Sequence, residues 1–306
     1  MEPVPQARPR EDKGPLEGTH LRRPEEYLRT RTDGPPRLSL LRSGQVTEWI
    51  FLGDAHFNPF RKDESWRALK GLARGTSPEG LVLMGDLFDF WFGFDRPSRL
   101  SALYSEIEEA LAEFQRKGTR IIFLEGNHDF YLRGRIGGVQ VESHRWEATM
   151  QLGGQRLYLA HGDRAAGPPY NLPSLLLKNP LTCRLLDALG PGIVTKVAFW
   201  WSAWSRRNER GAMEVARRLR RFAEKKIREG FDVVILAHSH QAEASLWRTG
   251  ERVGRYFNVG SWHEGDYLRW SSGRFRLEKF ADPGPQVGLA LAGLGAEDDG
   301  LLGGDP

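Results

Sequence analysis

The sequence predicts an α/β fold whose strands deliver polar residues to one edge. Two patterns carry that expectation. Short apolar runs recur along the chain: Trp49-Ile50-Phe51-Leu52, Leu81-Val82-Leu83-Met84, Ile121-Ile122-Phe123-Leu124, Leu157-Tyr158-Leu159-Ala160 and Val233-Val234-Ile235-Leu236-Ala237. Gly and polar residues bound each run, as they bound buried strands. Between several of the runs the apolar residues take helical spacing, so strand and helix alternate.

The elements follow in order. Residues 1–37 are rich in Pro, Arg and Glu and poor in apolar residues, and read as a disordered arm. Residues 38–163 and 208–282 read as the core. Within it, Leu103, Ile107, Ala110, Leu111 and Phe114 place a helix over Leu100 to Lys117, ended by Gly118. A second amphipathic helix runs from Asn208 to Arg228, with Ala212, Val215, Ala216, Leu219, Phe222, Ala223 and Ile227 on its apolar side. The stretches around Tyr256 to Val259 and Phe275 to Glu278 alternate like antiparallel pairs. Residues 164–207 interrupt the core. They are too broken to span a bilayer and too apolar for a solvated loop, so they read as a helical cap over the polar edge. Residues 283–306, rich in Gly, Asp and Pro, read as a flexible tail.

Each apolar run leads into a chemistry-bearing segment: Asp54-x-His56, Gly85-Asp86, Gly126-Asn127-His128-Asp129, His161-Gly162-Asp163 and His238-Ser239-His240. Five of the eight histidines fall in these segments. One such segment alone says little. Asp, Asn and His are poor strand formers and costly to bury unpaired, so their recurrence at successive strand ends is not explained by packing. They supply ligands for two divalent metal ions. Two ions held roughly 3.5–4 Å apart clamp a phosphoryl group and activate water. A shared carboxylate offsets their repulsion, and Asp86 is the natural bridge. Asp54, His56 and His240 complete one set, and Asn127, His161 and His238 the other. Mixed nitrogen and oxygen ligands suit Mn, Fe or Zn, with Mn²⁺ the first expectation. His128, next to the set, is expected to stabilise or protonate a leaving oxygen, since histidine is a side chain suited to general acid catalysis. Asn127 and Asp86 join it as catalytic residues, and Asp129 and Asp163 are expected to support the ligands.

Composition bounds the setting. The single cysteine, Cys183, excludes an intramolecular disulfide framework and fits a reducing compartment. The N-terminal stretch lacks the apolar segment of a signal peptide, and no apolar run approaches the ~18 residues of a membrane span. A cytoplasmic location is expected. The formal net charge is only +4. Basic residues nevertheless crowd Arg206, Arg207, Arg210, Arg217, Arg218, Arg220, Arg221, Lys225, Lys226 and Arg228, just after Phe199, Trp200, Trp201 and Trp204. That combination points to peripheral contact with an anionic membrane, on the inner face of the cytoplasmic membrane. Nucleic acid is the weaker alternative partner. The sequence does not set the oligomeric state.

The five segments, in this order, resemble the calcineurin-like metallophosphoesterase superfamily, with Ala237 where that pattern usually has Gly. The resemblance covers residues from about 48 to 265. It implies an αββα sandwich with an inserted helical cap. Gly85-Asp86-Leu87-Phe88-Asp89-Phe90-Trp91-Phe92-Gly93, Gly126 to Leu132, Tyr170, Asn179-Pro180 and Val259 to Gly265 more narrowly resemble the UDP-2,3-diacylglucosamine pyrophosphohydrolases of lipid A biosynthesis. That family implies cleavage of a lipid-linked nucleotide to UMP and 2,3-diacylglucosamine 1-phosphate, with Mn²⁺ and with acyl chains held by the cap. Tyr170 and Asn179 are the cap positions it carries over as substrate contacts. One departure stands out, since that family has Arg where this chain has His128. A metallophosphoesterase acting on another nucleotide, nucleic acid or lipid phosphoester is the alternative.

Overall fold

A computed structural model describes residues 37–38, 47–95, 98–205, 211–249 and 252–280. In chain order these form β1 (Arg37–Leu38), β2 (Glu48–Leu52), α1 (Glu64–Gly75), β3 (Gly80–Leu83), β4 (Trp91–Phe92), α2 (Leu100–Leu103), α3 (Ser105–Arg116), β5 (Arg120–Leu124), β6 (Asp129–Phe130), β7 (Arg135–Ile136), β8 (Val139–Gln140) and β9 (Glu142–His144). There follow β10 (Glu147–Leu152), β11 (Gln155–Ala160), α4 (Leu172–Leu177), α5 (Pro180–Leu189), α6 (Pro191–Ser205), α7 (Ala212–Arg228), β12 (Val233–Leu236), β13 (Ala242–Thr249), β14 (Arg252–Val259), β15 (Asp266–Ser271) and β16 (Arg274–Lys279).

Two six-stranded sheets hold the core, in the orders β16-β15-β2-β3-β5-β9 and β1-β10-β11-β12-β14-β13. In the first sheet β2, β3, β5 and β9 run parallel, and β15 pairs antiparallel to β2. The near-continuous apolar runs of β2, β3 and β5 are the signature of parallel strands covered on both faces. Alternate residues, Trp49, Phe51, Val82, Met84, Ile122 and Leu124, meet Met150, Leu157, Leu159, Val233, Ile235 and Phe257 of the second sheet in one buried cluster. The other set, among them Ile50, Leu52, Leu81, Leu83 and Phe123, is equally buried. It serves the outer face, where α3 packs on β5 and α1 packs on α3.

On the far side α7 sets Val215, Leu219, Ala223 and Ile227 against Tyr158, Val234, Leu236 and Tyr256. Helices thus cover both outer faces of a two-sheet sandwich. The expected apolar stripe of α7 is the one buried, apart from Ala212, which is exposed, and Phe222, which is partly buried.

Several expectations are refined. The helix expected over Leu100 to Lys117 is broken at Tyr104, whose φ of −108° and ψ of 18° leave helical geometry. Tyr104 is fully buried and stacks on Trp66 with ring centroids 6.2 Å apart, so packing of this ring overrides helical continuity. Helix α7 starts at Ala212, after Gly211 at φ +115°. Residues 164–207 do contain three helices, α4 to α6. The arm at 1–36, the tail from 283, Arg206, Arg207, Arg210 and the side chains of Trp200, Trp201 and Trp204 lie outside the described residues.

Leu219 has no exposure and sits at the centre of the α7 seat. Leu219→Ala is expected to lower the unfolding free energy by about 2–5 kcal/mol. Arg221→Ala, on the exposed face of the same helix, should change it by less than about 0.5 kcal/mol. Urea denaturation of the two variants beside the parent checks this, and equal effects would contradict the placement of α7.

Candidate metal centre

Parallel pairing gathers distant chain positions at one edge. Asp54 and His56 follow β2, Asp86 follows β3, and Asn127 and His128 follow β5. On the second sheet His161 follows β11, and His238 and His240 follow β12. Backbone hydrogen bonds lock these loops together. The Asp54 N–H donates to the Gly85 carbonyl at 3.0 Å, His56 N–H to Asp86 at 3.0 Å, and Ala237 N–H to His161 at 2.8 Å. Asp54 Oδ2 accepts from the His238 N–H at 2.7 Å, which joins the two sheets.

The seven residues expected as ligands come together in two groups. Asp54, His56 and His240 present ligand atoms within 4.8 Å of one another, as do Asp86, His161 and His238. Asp86 Oδ2 stands between the groups, 3.4 Å from His161 Nε2 and 3.9 Å from His56 Nε2. Asn127 Oδ1 lies 3.2 Å from His161 Nε2. Ring nitrogens also converge on one another. His56 Nε2 faces His240 Nε2 at 3.3 Å, and His238 Nδ1 faces His161 Nε2 at 3.1 Å.

Three observations test whether these residues fit divalent ions. Asp54 is fully buried and its Oδ1 has no hydrogen-bond partner, although its carbonyl and Oδ2 are satisfied. His161 Nδ1 meets the Met84 carbonyl at 2.8 Å, so Nδ1 keeps its proton and Nε2 is the nitrogen turned to the array, able to ligate once it gives up its own. Among the described residues eight non-glycine positions have positive φ, and five are Asp54, His56, Asp86, His238 and His240. Such backbone costs roughly 1–3 kcal/mol per residue and persists where function demands it. The mixed nitrogen and oxygen donor set suits Mn, Fe or Zn, so the residues present fit.

Electrostatics are strongly perturbed. Burial disfavours the charged His161 ring, but the charge and hydrogen bond of Asp86, with Asp54 and Asp163 behind, push its pKa up to about 10. Burial, then the charge of His161, take His238 down to about 3. Burial and the His128 charge hold His56 well below its ordinary value. Burial raises Asp86, yet His161, His128 and His56 hold it well below the usual carboxylate range. Asp54 is raised, chiefly by burial.

His128 sits beside this array, with its ring edge-on to His56 at 4.9 Å. Its N–H donates to Asp86 Oδ1 at 2.8 Å, and its Nδ1 meets the Asp89 carbonyl at 3.0 Å. The Asp89 contact puts a proton on Nδ1 and leaves Nε2 for a ligand. Asp129 accepts from four backbone donors, Asp86, Leu87, Phe88 and Gly126. Burial and the Asp86 charge push its pKa up to about 8 against those donors. Gly126 is required here, because a Cβ would stand 2.1 Å from Asp86 Oδ1.

Two expected substrate contacts have other work. Asn179 Oδ1 accepts from the Leu181 N–H at 2.9 Å and caps α5, which Pro180 opens. Tyr170 lies under the Arg218 guanidinium, 5.2 Å from its ring centre, and packs beside Gly211. Neither contact requires a substrate. Sequence reasoning also missed Lys178, Asn258 and Ser261. Lys178 is 2% exposed. Asn258 Nδ2 donates to the Ala237 carbonyl at 2.9 Å, and Ser261 Oγ to the Asp54 carbonyl at 2.8 Å. A lysine closing the apolar run Leu175-Leu176-Leu177 was the available signal for the first.

Seven candidate metal ligands at the carboxyl edge of an αββα sandwich fit a metal-dependent phosphoesterase. Residues 49–242 match the calcineurin-like phosphoesterase family, and the chain belongs to that family of hydrolases. Among curated relatives it is similar to the UDP-2,3-diacylglucosamine hydrolase of Pseudomonas syringae pv. syringae, 28% identical over 247 residues, covering 76% of this chain and 95% of the relative. The enzyme of the same name from Yersinia enterocolitica is 26% identical over 211 residues, 66% of this chain and 85% of the relative. That of Stenotrophomonas maltophilia is 26% identical over 257 residues, 76% and 98%.

The raised His161 has a measurable consequence. Its folded pKa of about 10 exceeds the ordinary 6.5, so the His161–Asp86 pair stabilises the metal-free chain fully below pH 6.5. That contribution is lost as pH rises through 10. A ring that ligates metal must be neutral. Loading with Mn²⁺ at pH 7.5 is therefore expected to release about one proton from His161 and none from the already neutral His56 and His238. Calorimetric titration in two buffers of different ionisation enthalpy measures it. Identical heats in both buffers would show that His161 is neutral beforehand.

Proposed function

We propose that this hydrolase cleaves the pyrophosphate of UDP-2,3-diacylglucosamine, giving UMP and 2,3-diacylglucosamine 1-phosphate, at a two-metal centre. The observation that carries the reading is the pairing of two ligand groups about Asp86 with apolar helices that contact the same edge. Phe199 of α6 packs on Phe60 and Phe90 at 5.3 and 6.3 Å, next to the Asp54-x-His56 and Gly85-Asp86 segments. The exposed aliphatics Leu172 and Leu176 of α4, Leu181, Leu185 and Leu189 of α5, and Ile193 and Val197 of α6 recur at four-residue spacing within each helix. These helices, within residues 164–207, serve as a cap for acyl chains. The names of the relatives support the substrate.

Asp54, His56 and His240 would hold one ion, and Asn127, His161 and His238 the other, with Asp86 shared. Mn²⁺ is the proposed metal, with Fe or Zn able to use the same donors. When bound, such ions polarise the phosphoryl oxygens and supply an activated water for in-line attack. The chain contributes the rest. The Asp89 carbonyl accepts from His128 Nδ1 and orients the ring, and His128, entering as the imidazolium, would give its Nε2 proton to the leaving oxygen and remain as the neutral Nδ1–H ring. Asp129 holds the Asp86 loop by its four backbone hydrogen bonds.

Water adds across the P–O–P bridge, so the products are two phosphomonoesters. No helix among the described residues is long and apolar enough to cross a membrane. The proposed membrane contact is peripheral, at an anionic inner-membrane surface, with the apolar cap facing lipid and the basic side of α7 beside it.

The test is release of UMP from UDP-2,3-diacylglucosamine with Mn²⁺. The native chain is expected to release it, Asp86→Ala to lose activity, and His128→Ala to fall about 10²–10⁴-fold. His128→Arg should keep part of the rate, since Arg supplies charge but no transferable proton. Absence of UMP alongside Mn²⁺-dependent hydrolysis of bis-p-nitrophenyl phosphate would overturn the substrate and keep the phosphoesterase.

A further inference from the structure

Lys178 closes α4 with its side chain 1% exposed, inside the protein rather than at the surface. Its ammonium has three acceptors: Asp163 Oδ2 at 2.8 Å, the Glu125 carbonyl at 2.8 Å and the Arg145 carbonyl at 3.4 Å. The Trp146 ring lies 4.6 Å below it. Two of these acceptors belong to the loops that carry the proposed ligands. Glu125 immediately precedes Gly126-Asn127-His128, and Asp163 stands two residues after His161. A lysine fits this place because an ammonium offers three donors in a compact head. A buried ion pair is a weak device for stability alone, because desolvation offsets its attraction. Its use here lies in fixing the distance between the two loops.

We propose that Lys178 is a positioning residue. Carried by the cap helices, it pins the Asn127 loop and the His161 loop in register for metal binding and turnover. The proposal rests on the ligand assignment above and not on the lipid substrate. A second cap contact offers a control: Asp187 Oδ1 accepts the Asp95 N–H at 2.9 Å and touches neither loop.

The experiment measures Mn²⁺ affinity of the metal-free chain by calorimetry, and kcat and KM on bis-p-nitrophenyl phosphate, a substrate too small to need the cap. Asp86→Ala tests the ligand assignment separately. Lys178→Met is expected to weaken Mn²⁺ binding and lower kcat, each about 10–100-fold, as loss of support for a metal ligand does, with KM within about twofold of native. Lys178→Arg keeps the charge but presents a planar fork in place of three convergent donors, so it should recover only part of both losses. Asp187→Ala should keep native Mn²⁺ affinity and native kcat. Native Mn²⁺ affinity and kcat in Lys178→Arg, or in a folded Lys178→Met, would overturn the proposal and leave Lys178 as cap anchorage. So would equal losses in Asp187→Ala. If Lys178→Met fails to fold, the Arg variant decides.

Discussion

A carboxylate with no access to water needs donors on every side, and Asp129 has four of them in the backbone. Three belong to consecutive residues, Asp86, Leu87 and Phe88, and the fourth to Gly126. The carboxylate therefore closes the loop after β3 into a cradle and fastens it to the loop after β5. The Asp86 side chain then has Oδ1 committed to the His128 N–H and Oδ2 set between the two histidine groups, 3.4 Å from His161 Nε2 and 3.9 Å from His56 Nε2. Without Asp129 the loop carrying Asp86 would have three unsatisfied buried N–H groups. The rest of the centre is arranged around that fixed point.

Strain and charge enter the same economy of structure. Five residues of the array hold left-handed backbone that non-glycine residues avoid, and cross-loop hydrogen bonds to Gly85, Asp86 and His161 hold them there. Asp54 and Asp86, facing His161, keep a proton on one imidazole, while burial keeps His56 and His238 neutral. The metal-free array thus carries an internal cation in place of part of the charge that divalent ions bring.

Much of this was legible in the sequence. Buried parallel strands are written as unbroken apolar runs, and the polar residue after each run has few roles open to it except at an edge. The seven candidate ligands, which the fold brings together, were picked out that way, because each is chemically distinctive and tied to a strand end. Residues whose role depends on long-range contact were not legible. Lys178 reaches loops 15 and 53 residues away in the chain, and no local pattern encodes those partners. Asn179 is the opposite case, with a local role that the sequence does encode. Its position before Pro180 makes it the cap of α5, and the substrate contact that the family resemblance implies is a separate expectation. The break at Tyr104 likewise comes from rings elsewhere in the chain, not from its neighbours.

The basic helix shows how burial changes a reading of charge. As a sequence, α7 combines an apolar stripe with an excess of Arg and Lys, the composition of a helix lying in a membrane surface. In the fold that stripe is spent on Tyr158, Val234, Leu236 and Tyr256. Its cations also have local partners: Arg217 and Arg218 at Glu214, Arg220 at Glu243, Lys226 at Glu229 and Arg228 at Glu224. No apolar face of α7 is left for lipid. The exposed aliphatic ridges of α4, α5 and α6 supply one, and nothing in the sandwich core requires them to be apolar. Lipid affinity, on this reading, belongs to the segment between β11 and α7, and phosphoester chemistry to the strand edge beneath it. Lys178 is where the two halves meet, since it rides on the first of those helices and ends between the two loops that hold Asn127 and His161.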